Sequence, residues 1–286
     1  MKAVVTRPHW SYSSISQYLK CPLQYYFERV LSLPRRTVSD AQVLGSSVHT
    51  ALAAYHRKLQ SRESVTTWDV HQAYLDAWDA QAGDGQIVAT GDKSLGESRD
   101  LGLALVDVYL NEPPPEAIIA VERPMMAPIA NSRGEYLEKP LLVVADLVTL
   151  QEDGTLQVNE IKTSGRAYSE SEVATSLQPT FYANALYEQT GSEPSVEFTI
   201  LVKTKVPKVQ KIPAARNTTD YQRLGDIIGV VERSIEAGSF YPVESPLNCS
   251  GCSYFRECRG WTGPGSLKSG DSEIFAIEEA APCSQR

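Results

Sequence analysis

Two carboxylates and a lysine stand near the ends of two apolar runs in the middle of the chain. Asp146 follows the run LLVVA, and Glu160 follows LQVN, with Lys162 two residues later. An EDG turn separates the two runs, so the acids can meet on adjacent strands. Two carboxylates held together repel each other, and a divalent cation that prefers oxygen ligands, such as Mg²⁺ or Mn²⁺, relieves that repulsion. Lys162 points to the same side of its strand as Glu160, where it can hold a water or hydroxide against a phosphorus atom and offset the charge that develops there.

The same spacing has an ordinary structural explanation, in which Asp146 ends a strand and Glu160 and Lys162 form an exposed ion pair. The chemistry therefore depends on the elements that position these residues. Four β-rich runs cover 117–129, 139–150, 155–163 and 195–206, and a helical segment spans about 169–189 between the third and the fourth. A strand hairpin followed by a strand, a helix and another strand predicts a mixed sheet of the α/β class.

The chain before the triple proline at 113–115 is predicted to be helical. Residues 11–31 carry apolar side chains at helical spacing. Pro22 should break this segment into two pieces, because proline suits the first turn of a helix and not its interior. The break places Cys21 at the start of a helix.

Three more helical segments are expected. An apolar stripe runs from Asp40 to Gln60, with Gly45 and His49 one turn apart on a neighbouring face. A more polar stretch covers about 66–110 around a glycine-rich interruption, and a last helix covers about 219–238. The triple proline between these helices and the first strand is the clearest boundary in the chain.

Composition and charge narrow the class of protein. The 286 residues are 42% hydrophobic, which suffices for a large core, and the net charge is −8. No apolar stretch approaches the ~20 residues that a membrane helix requires, and no charged start precedes a long apolar run at the amino terminus. We therefore expect a cytoplasmic protein with no membrane partner. The acidic total argues mildly against an indiscriminate nucleic-acid binder.

One basic stretch departs from this acidic total. The segment 198–219 has a local charge of +5 and no acid, from Lys203, Lys205, Lys208, Lys211 and Arg216. A solvated strand face and hairpin explains these residues as well as a track for nucleic-acid phosphates does, with Lys203 and Lys205 as the DNA-binding candidates. Beyond Trp261 the composition predicts a flexible acidic tail over 263–286.

The five cysteines are an odd and unevenly spread set, which does not fit a secreted disulfide framework. Three of them, Cys249, Cys252 and Cys258, have the spacing C-x2-C-x5-C. Thiolates in such a short segment suit either zinc or an iron-sulfur cluster, and spacing alone does not decide between them. Cys283 lies in the predicted tail and is not expected to bind the zinc or the iron-sulfur cluster.

Several motifs together complete a known pattern. Asp146, Glu160 and Lys162 have the form D-x(13)-E-x-K, which resembles the core of the PD-(D/E)XK nuclease superfamily. GSSVHTAL, from residue 45, resembles the G-x-x-x-H helix of the RecB-like branch, and QPTFYANAL, from residue 178, resembles its Q-x-x-x-Y helix. The Cys-Pro pair at 21–22 with CSGCSYFREC at 249–258 resembles the split four-cysteine iron-sulfur frame of CRISPR-associated RecB-like exonucleases and AddB-type nuclease domains. Each motif alone is weak, but together they follow the family's order.

The resemblance implies roles for the residues of the metal centre. His49, Asp146 and Glu160 would bind Mg²⁺ or Mn²⁺ together with the backbone carbonyl of Ile161. Lys162 would activate or orient the attacking water.

The resemblance also implies roles for the neighbouring helix. Gln178 and Tyr182, one helical turn apart, would line the groove and position the nucleic-acid strand. Pro179 departs from the aliphatic residue expected there and predicts a later helix start or a kink. Glu122, in AVERP, could approach the metal, but a structural role is favoured for it.

The resemblance further implies a [4Fe-4S] cluster held by Cys21, Cys249, Cys252 and Cys258, with zinc as the alternative. Its role would be to clasp the two ends of the chain around the nuclease core. The predicted regions are an amino-terminal helical region over 1–110, a restriction-endonuclease-like core over 111–240, an iron-sulfur segment over 241–262 and the tail.

The implied activity is metal-dependent exonucleolytic hydrolysis of DNA, on single-stranded ends, in recombination, repair or CRISPR spacer acquisition. The alternative is a non-catalytic DNA-end-binding or adaptor subunit of a recombination complex. A pure binder has no need of a lysine beside two carboxylates, which favours the enzyme. The chain contains no G-x-x-x-x-G-K-[ST] motif, so unwinding would require a helicase partner. A recombinase or a CRISPR integrase is a further expected partner.

Overall fold

The computed structural model describes residues 7–35, 38–84, 87–89, 93–115 and 117–263. Its helices are α1 Tyr12–Lys20, α2 Pro22–Tyr25, α3 Asp40–Gln60, α4 Thr67–Asp84, α5 Leu95–Leu110, α6 Glu170–Thr175, α7 Gln178–Thr190, α8 Thr218–Glu236, α9 Pro246–Cys249 and α10 Phe255–Gly260, with a π-helical turn at Tyr26–Val30 after α2. Its strands are β1 Val38–Ser39, β2 Ile87–Val88, β3 Ile118–Ala127, β4 Leu141–Leu150, β5 Leu156–Ser164, β6 Ser195–Val202 and β7 Lys208–Pro213. Cys283 and nearly all of the predicted tail lie outside the described residues.

The chain forms two compact units. The first, which we call the cysteine unit, comprises Met1–Arg7, Ser13–Arg36 and Val230–Arg286. The second, the sheet unit, comprises Pro8–Tyr12 and Thr37–Gly229. The boundary that the triple proline suggested near residue 110 lies inside the sheet unit.

The centre of the sheet unit is a five-stranded sheet in the order β3-β4-β5-β6-β7. Neighbouring strands are antiparallel except β5 and β6, which are parallel. The predicted EDG turn joins β4 to β5, with Gly154 in a left-handed conformation that glycine adopts without strain. Parallel strands require a crossover, and α6 and α7 supply it between β5 and β6. The prediction of a mixed α/β sheet with a restriction-endonuclease-like arrangement is confirmed.

Helices cover both faces of this sheet. Ile161 of β5 packs into the buried cluster formed by α3, α4 and α5. The adjacent Glu160 reaches Gln178 and Tyr182 of α7 instead. Successive side chains of a strand point to opposite faces, so the two groups of helices enclose the sheet from opposite sides. Among the described residues, no helix is long and apolar enough to cross a membrane.

Local signals explain where the two helices at the site begin. Ser39 caps α3 through a capping box, in which its side chain accepts from the Gln42 N–H while the Gln42 side chain accepts from the Ser39 N–H. Helix α7 begins at Gln178 with Pro179 in its first turn, where the missing N–H of proline costs nothing. The expected later start or kink at Pro179 is therefore wrong.

Candidate active site

The site forms where β4 and β5 separate. The two strands pair from Leu150 with Leu156 as far as Leu147 with Asn159, and no further. Beyond that point the N–H of Ile161 donates to Asp146 Oδ2 over 2.7 Å. The side chain thus satisfies a backbone donor that the lost pairing would leave open. The other oxygen of Asp146, Oδ1, faces His49.

His49 approaches Asp146 from α3. Its Nδ1 lies 3.2 Å from Asp146 Oδ1, and its side chain is 27% exposed. Burial favours the neutral imidazole, but the hydrogen bond and charge of Asp146, followed by the charge of Glu160, outweigh burial and raise the pKa of His49. The predicted neighbours from two distant parts of the sequence do meet.

Glu122 joins these two residues. One ligand atom each from His49, Glu122 and Asp146 lie within 4.8 Å of one another, and among the described residues this is the only such group of three or more His, Cys, Asp or Glu side chains. Glu122 belongs to β3, between the pairs Val121 with Leu147 and Arg123 with Ala145, and is therefore opposite Asp146. The structural role favoured for Glu122 from sequence does not include this position, because the hydrophobic pattern does not specify the register of β3 against β4.

Buried Glu160 and partly exposed Lys162 form an ion pair beside this group. Lys162 Nζ donates to Glu160 Oε1 at 2.5 Å, and the Glu160 side chain is 3% exposed against 28% for Lys162. Burial and the charge of Asp146 raise the pKa of Glu160, with Lys162 opposing them. Burial acts to lower the pKa of Lys162, but the charge of Glu160, its hydrogen bond and the charge of Asp146 together outweigh burial and raise that pKa. The exposed ion pair of the ordinary explanation is not what the chain forms.

Gln178 and Tyr182 support Glu160. Gln178 Nε2 donates to Glu160 Oε1 at 2.7 Å, and the Tyr182 hydroxyl donates to Glu160 Oε2 at 2.5 Å. Both side chains are buried, and the role expected for them in lining the substrate groove stays a prediction. Their spacing of one helical turn lets both reach one carboxylate. Burial, then the charge of Glu160, raises the pKa of Tyr182 well above its usual value, which keeps its hydroxyl protonated as a donor.

The basic residues of the segment 198–219 have different environments. Arg216 donates to three carbonyls at the end of α6, and Lys211 pairs with Glu112 at 3.0 Å. Lys203 follows β6 and is half-buried, which lowers its pKa. Lys205 is exposed in the turn between β6 and β7. The hairpin expected from sequence is present, and the role of Lys203 and Lys205 in binding nucleic acid stays a prediction.

The four cysteines line one pocket in the cysteine unit. Cys21 lies immediately before α2, Cys249 ends α9, Cys258 lies in α10, and Cys252 lies between the last two helices. Burial is the main cause that raises the pKa of Cys252 and of Cys258. Residues distant in sequence therefore converge as predicted from the split frame.

A small apolar cluster holds this pocket together. Leu23, Phe27 and Tyr254 are its fully buried members, and Cys21, Cys252 and Cys258 pack against them. The Tyr254 hydroxyl donates to the Leu33 carbonyl at 3.0 Å. The first and last parts of the unit are therefore joined by packing and by a hydrogen bond.

Comparison with known proteins identifies a family resemblance over most of the chain. Residues 9–259 match the family model described as the PD-(D/E)XK nuclease superfamily. A solved structure from Eubacterium rectale, named "Putative exonuclease", aligns with a TM-score of 0.51 at 13% identity, over 90% of each chain. A second, named SSO0001, aligns with a TM-score of 0.33 at 12% identity, over 90% of this chain and 96% of the other. Comparison with curated proteins gives no match.

Proposed function

Because this chain belongs to the PD-(D/E)XK nuclease superfamily, we propose that it is a divalent-metal-dependent deoxyribonuclease that hydrolyses phosphodiester bonds at single-stranded DNA ends. The observation that carries the proposal is the meeting of His49 and Asp146 beside the ion pair of Glu160 and Lys162, at the point where two strands separate. A charged lysine among carboxylates has a use in phosphoryl chemistry that a purely binding surface does not require.

The donor set suits the metal that the family implies. Asp146 Oδ1 and His49 Nδ1 face each other, and the carboxylate of Glu122 lies within reach of both. Carboxylate oxygens suit Mg²⁺ and Mn²⁺, and an imidazole nitrogen favours the transition metal of the two. When bound, the cation would polarise a phosphodiester oxygen and lower the pKa of a coordinated water. Metal ligation by Glu160 and by the Ile161 carbonyl remains part of the proposal.

Lys162 orients the attacking water and stabilises charge. Against the effect of burial, the charge and hydrogen bond of Glu160 raise the pKa of Lys162, which favours the protonated ammonium, a hydrogen-bond donor. An ammonium beside the scissile group stabilises the negative charge that develops on the phosphoryl oxygens. Glu160 anchors this ammonium, and Gln178 and Tyr182 anchor Glu160. The ammonium of Lys162 is thereby held in place by a chain of hydrogen bonds that runs through buried Glu160.

We also propose that Cys21, Cys249, Cys252 and Cys258 hold a [4Fe-4S] cluster of structural function. All four thiols line one pocket. Thiolates gathered in one pocket suit either zinc or an iron-sulfur cluster. The resemblance of the split four-cysteine frame to that of RecB-like exonucleases favours the cluster, with zinc as the alternative.

The proposed cluster is tested by metal analysis of anaerobically purified protein. We expect about four irons per chain and little zinc. Cys21→Ser should lose the iron and be cleaved faster by protease in the cysteine unit, because one anchor of the pocket is gone. Cys283→Ser is the matched control and should retain both properties. Stoichiometric zinc, or full iron content in Cys21→Ser, would overturn the cluster without affecting the nuclease proposal.

The nuclease proposal is tested with end-labelled oligonucleotides and Mn²⁺. We expect single-stranded DNA to be shortened from one end and blunt duplex DNA to be degraded more slowly. Labels at the 5′ and the 3′ end, in separate substrates, reveal the direction. Binding without cleavage, at every metal tested, would support an adaptor of a recombination complex and contradict the enzyme. The biological setting, whether recombination, repair or CRISPR spacer acquisition with a helicase, recombinase or integrase partner, is part of the same proposal.

A further inference from the structure

Glu122 has an unusual backbone conformation for its place in the fold. Its φ is +44°, in the left-handed region, although it lies within β3. The other two described non-glycine residues with positive φ, Ser32 and Arg62, lie outside regular helices and strands. A left-handed residue other than glycine is unfavourable, and such residues persist where surrounding structure holds them, often at functional sites.

The packing of α3 against β3 keeps the backbone of Glu122 in this conformation. Ala53 of α3 forms a buried cluster with Val121 and Leu147, the strand pair next to Glu122. Gln60, two turns further along α3, donates through Nε2 to the carbonyl of Ile119 at 3.0 Å. Helix α3 is therefore fixed to the part of β3 that immediately precedes Glu122.

Arg57 of the same helix holds the carboxylate of Glu122. Its Nη2 lies 3.1 Å from Glu122 Oε2, and the two side chains are 54% and 33% exposed. His49 and Arg57 are eight residues apart on α3, so Glu122 faces a ligand on one side and a counter-ion on the other. A carboxylate that faces both can exchange one partner for the other.

We infer that Glu122 is a protein ligand of the divalent cation, and that Arg57 is the counter-ion that it releases when the cation binds. This inference rests on the proposed function. The carboxylates of Glu122 and Asp146 bring two negative charges to one point, and charge count is a main determinant of divalent-cation affinity. The released guanidinium of Arg57 is then available to a phosphate of the substrate, for which its planar set of donors is suited.

The two members of this pair should respond in opposite directions to substitution. Glu122→Gln removes a ligand charge but keeps the side-chain shape, and should weaken Mn²⁺ binding by about tenfold or more. Arg57→Gln removes a competitor for the carboxylate and should strengthen Mn²⁺ binding, by about two- to fivefold for a partly exposed ion pair. A purely structural ion pair predicts no such opposition, because losing either partner would then have the same effect.

The experiment is calorimetric titration of Mn²⁺ into the full chain without DNA. Glu244→Gln is the matched control, because Glu244 forms an ion pair with Arg259 at 3.0 Å in the cysteine unit, and it should bind Mn²⁺ as the wild type does. Thermal unfolding without metal verifies that each variant is folded. A second titration with a single-stranded oligonucleotide, made in a Lys162→Ala background so that the DNA is not degraded, should show weaker DNA binding by Arg57→Gln when Mn²⁺ is present.

The outcomes separate this inference from the proposed function. Unchanged Mn²⁺ affinity in a folded Glu122→Gln variant, while the wild type binds Mn²⁺ and cleaves DNA, would overturn the ligand role of Glu122 alone. Weakened Mn²⁺ binding by Arg57→Gln would overturn its role as the released counter-ion. A wild type that neither binds Mn²⁺ nor cleaves DNA would overturn the proposed function, and the inference with it.

Discussion

His56 makes the stability of α3 depend on pH. Its imidazole is 1% exposed, and its Nε2 lies 2.8 Å from the Tyr109 hydroxyl. Burial lowers the pKa of His56 to about 4, with the charge of Asp146 opposing it slightly. The folded chain therefore resists protonation of His56, whereas the unfolded chain accepts a proton near pH 6.5.

The sign and size of the effect follow from these two pKa values. A depressed folded-state pKa contributes stability that is complete above pH 6.5 and is lost as the pH falls towards 4. Each pKa unit is worth about 1.4 kcal/mol, so the total is roughly 3 kcal/mol. Between pH 7.5 and pH 5 the loss in the free energy of unfolding amounts to about 2 kcal/mol.

Urea unfolding of the wild type and of His56→Gln measures this loss. Glutamine can still accept a hydrogen bond from Tyr109 but does not titrate. His49 and the other titratable groups are common to both proteins, so the difference between their pH dependences isolates His56. We expect the wild type to lose about 2 kcal/mol more than the variant between pH 7.5 and pH 5. Parallel pH dependences would refute the argument from burial.

Three further predictions concern the site and its supports. Tyr182→Phe removes a hydrogen-bond donor to buried Glu160 and should lower the free energy of unfolding by about 1.5–3 kcal/mol at neutral pH in urea titrations. An unchanged urea midpoint would contradict the role of Tyr182 in supporting Glu160. Gly225→Ala would place a Cβ 2.1 Å from the carbonyl oxygen of Ala130 and should lower the free energy of unfolding by about 1–3 kcal/mol in the same assay. Gly165→Ala, whose Cβ would meet nothing within 4 Å, should be nearly neutral. Equal effects of the two substitutions would contradict this packing. Lys205→Gln should reduce the salt dependence of DNA binding by about one phosphate contact, and an unaltered slope would return Lys205 to a plain surface role.

Elements with strong periodicity were predictable from sequence. The helix expected from Asp40 to Gln60 has those bounds in the structure, and the one expected over 219–238 is Thr218–Glu236. The break at Pro22 separates α1 from α2. The segment 169–189 divides into α6 and α7, since Ser176 adopts an extended conformation between them. Local propensity decided these elements, and tertiary packing altered only their ends.

The reactive residues were predictable, but not all their partners were. Asp146, Glu160 and Lys162 were expected at strand ends, but they lie inside β4 and β5, at the point where the pairing of these two strands has stopped. The position of Glu122 depends on strand register and on one left-handed residue, neither of which a hydrophobic pattern specifies. Burial of Gln178 depends on which face α7 presents to the sheet, and a helix with apolar residues on several sides leaves that face undetermined.

The central claim is that Lys162 acts in phosphodiester hydrolysis at a metal centre built around Asp146. The most direct test measures single-turnover cleavage of end-labelled single-stranded DNA in the presence of Mn²⁺ by the wild type and by Lys162→Ala. Lys208→Ala is the control, because Lys208 is an exposed lysine of the same sheet. The account predicts that Lys162→Ala loses about 10²–10³-fold in cleavage rate or more while binding Mn²⁺ and DNA as the wild type does, and that Lys208→Ala cleaves normally. Cleavage by Lys162→Ala at the rate of the wild type would contradict it.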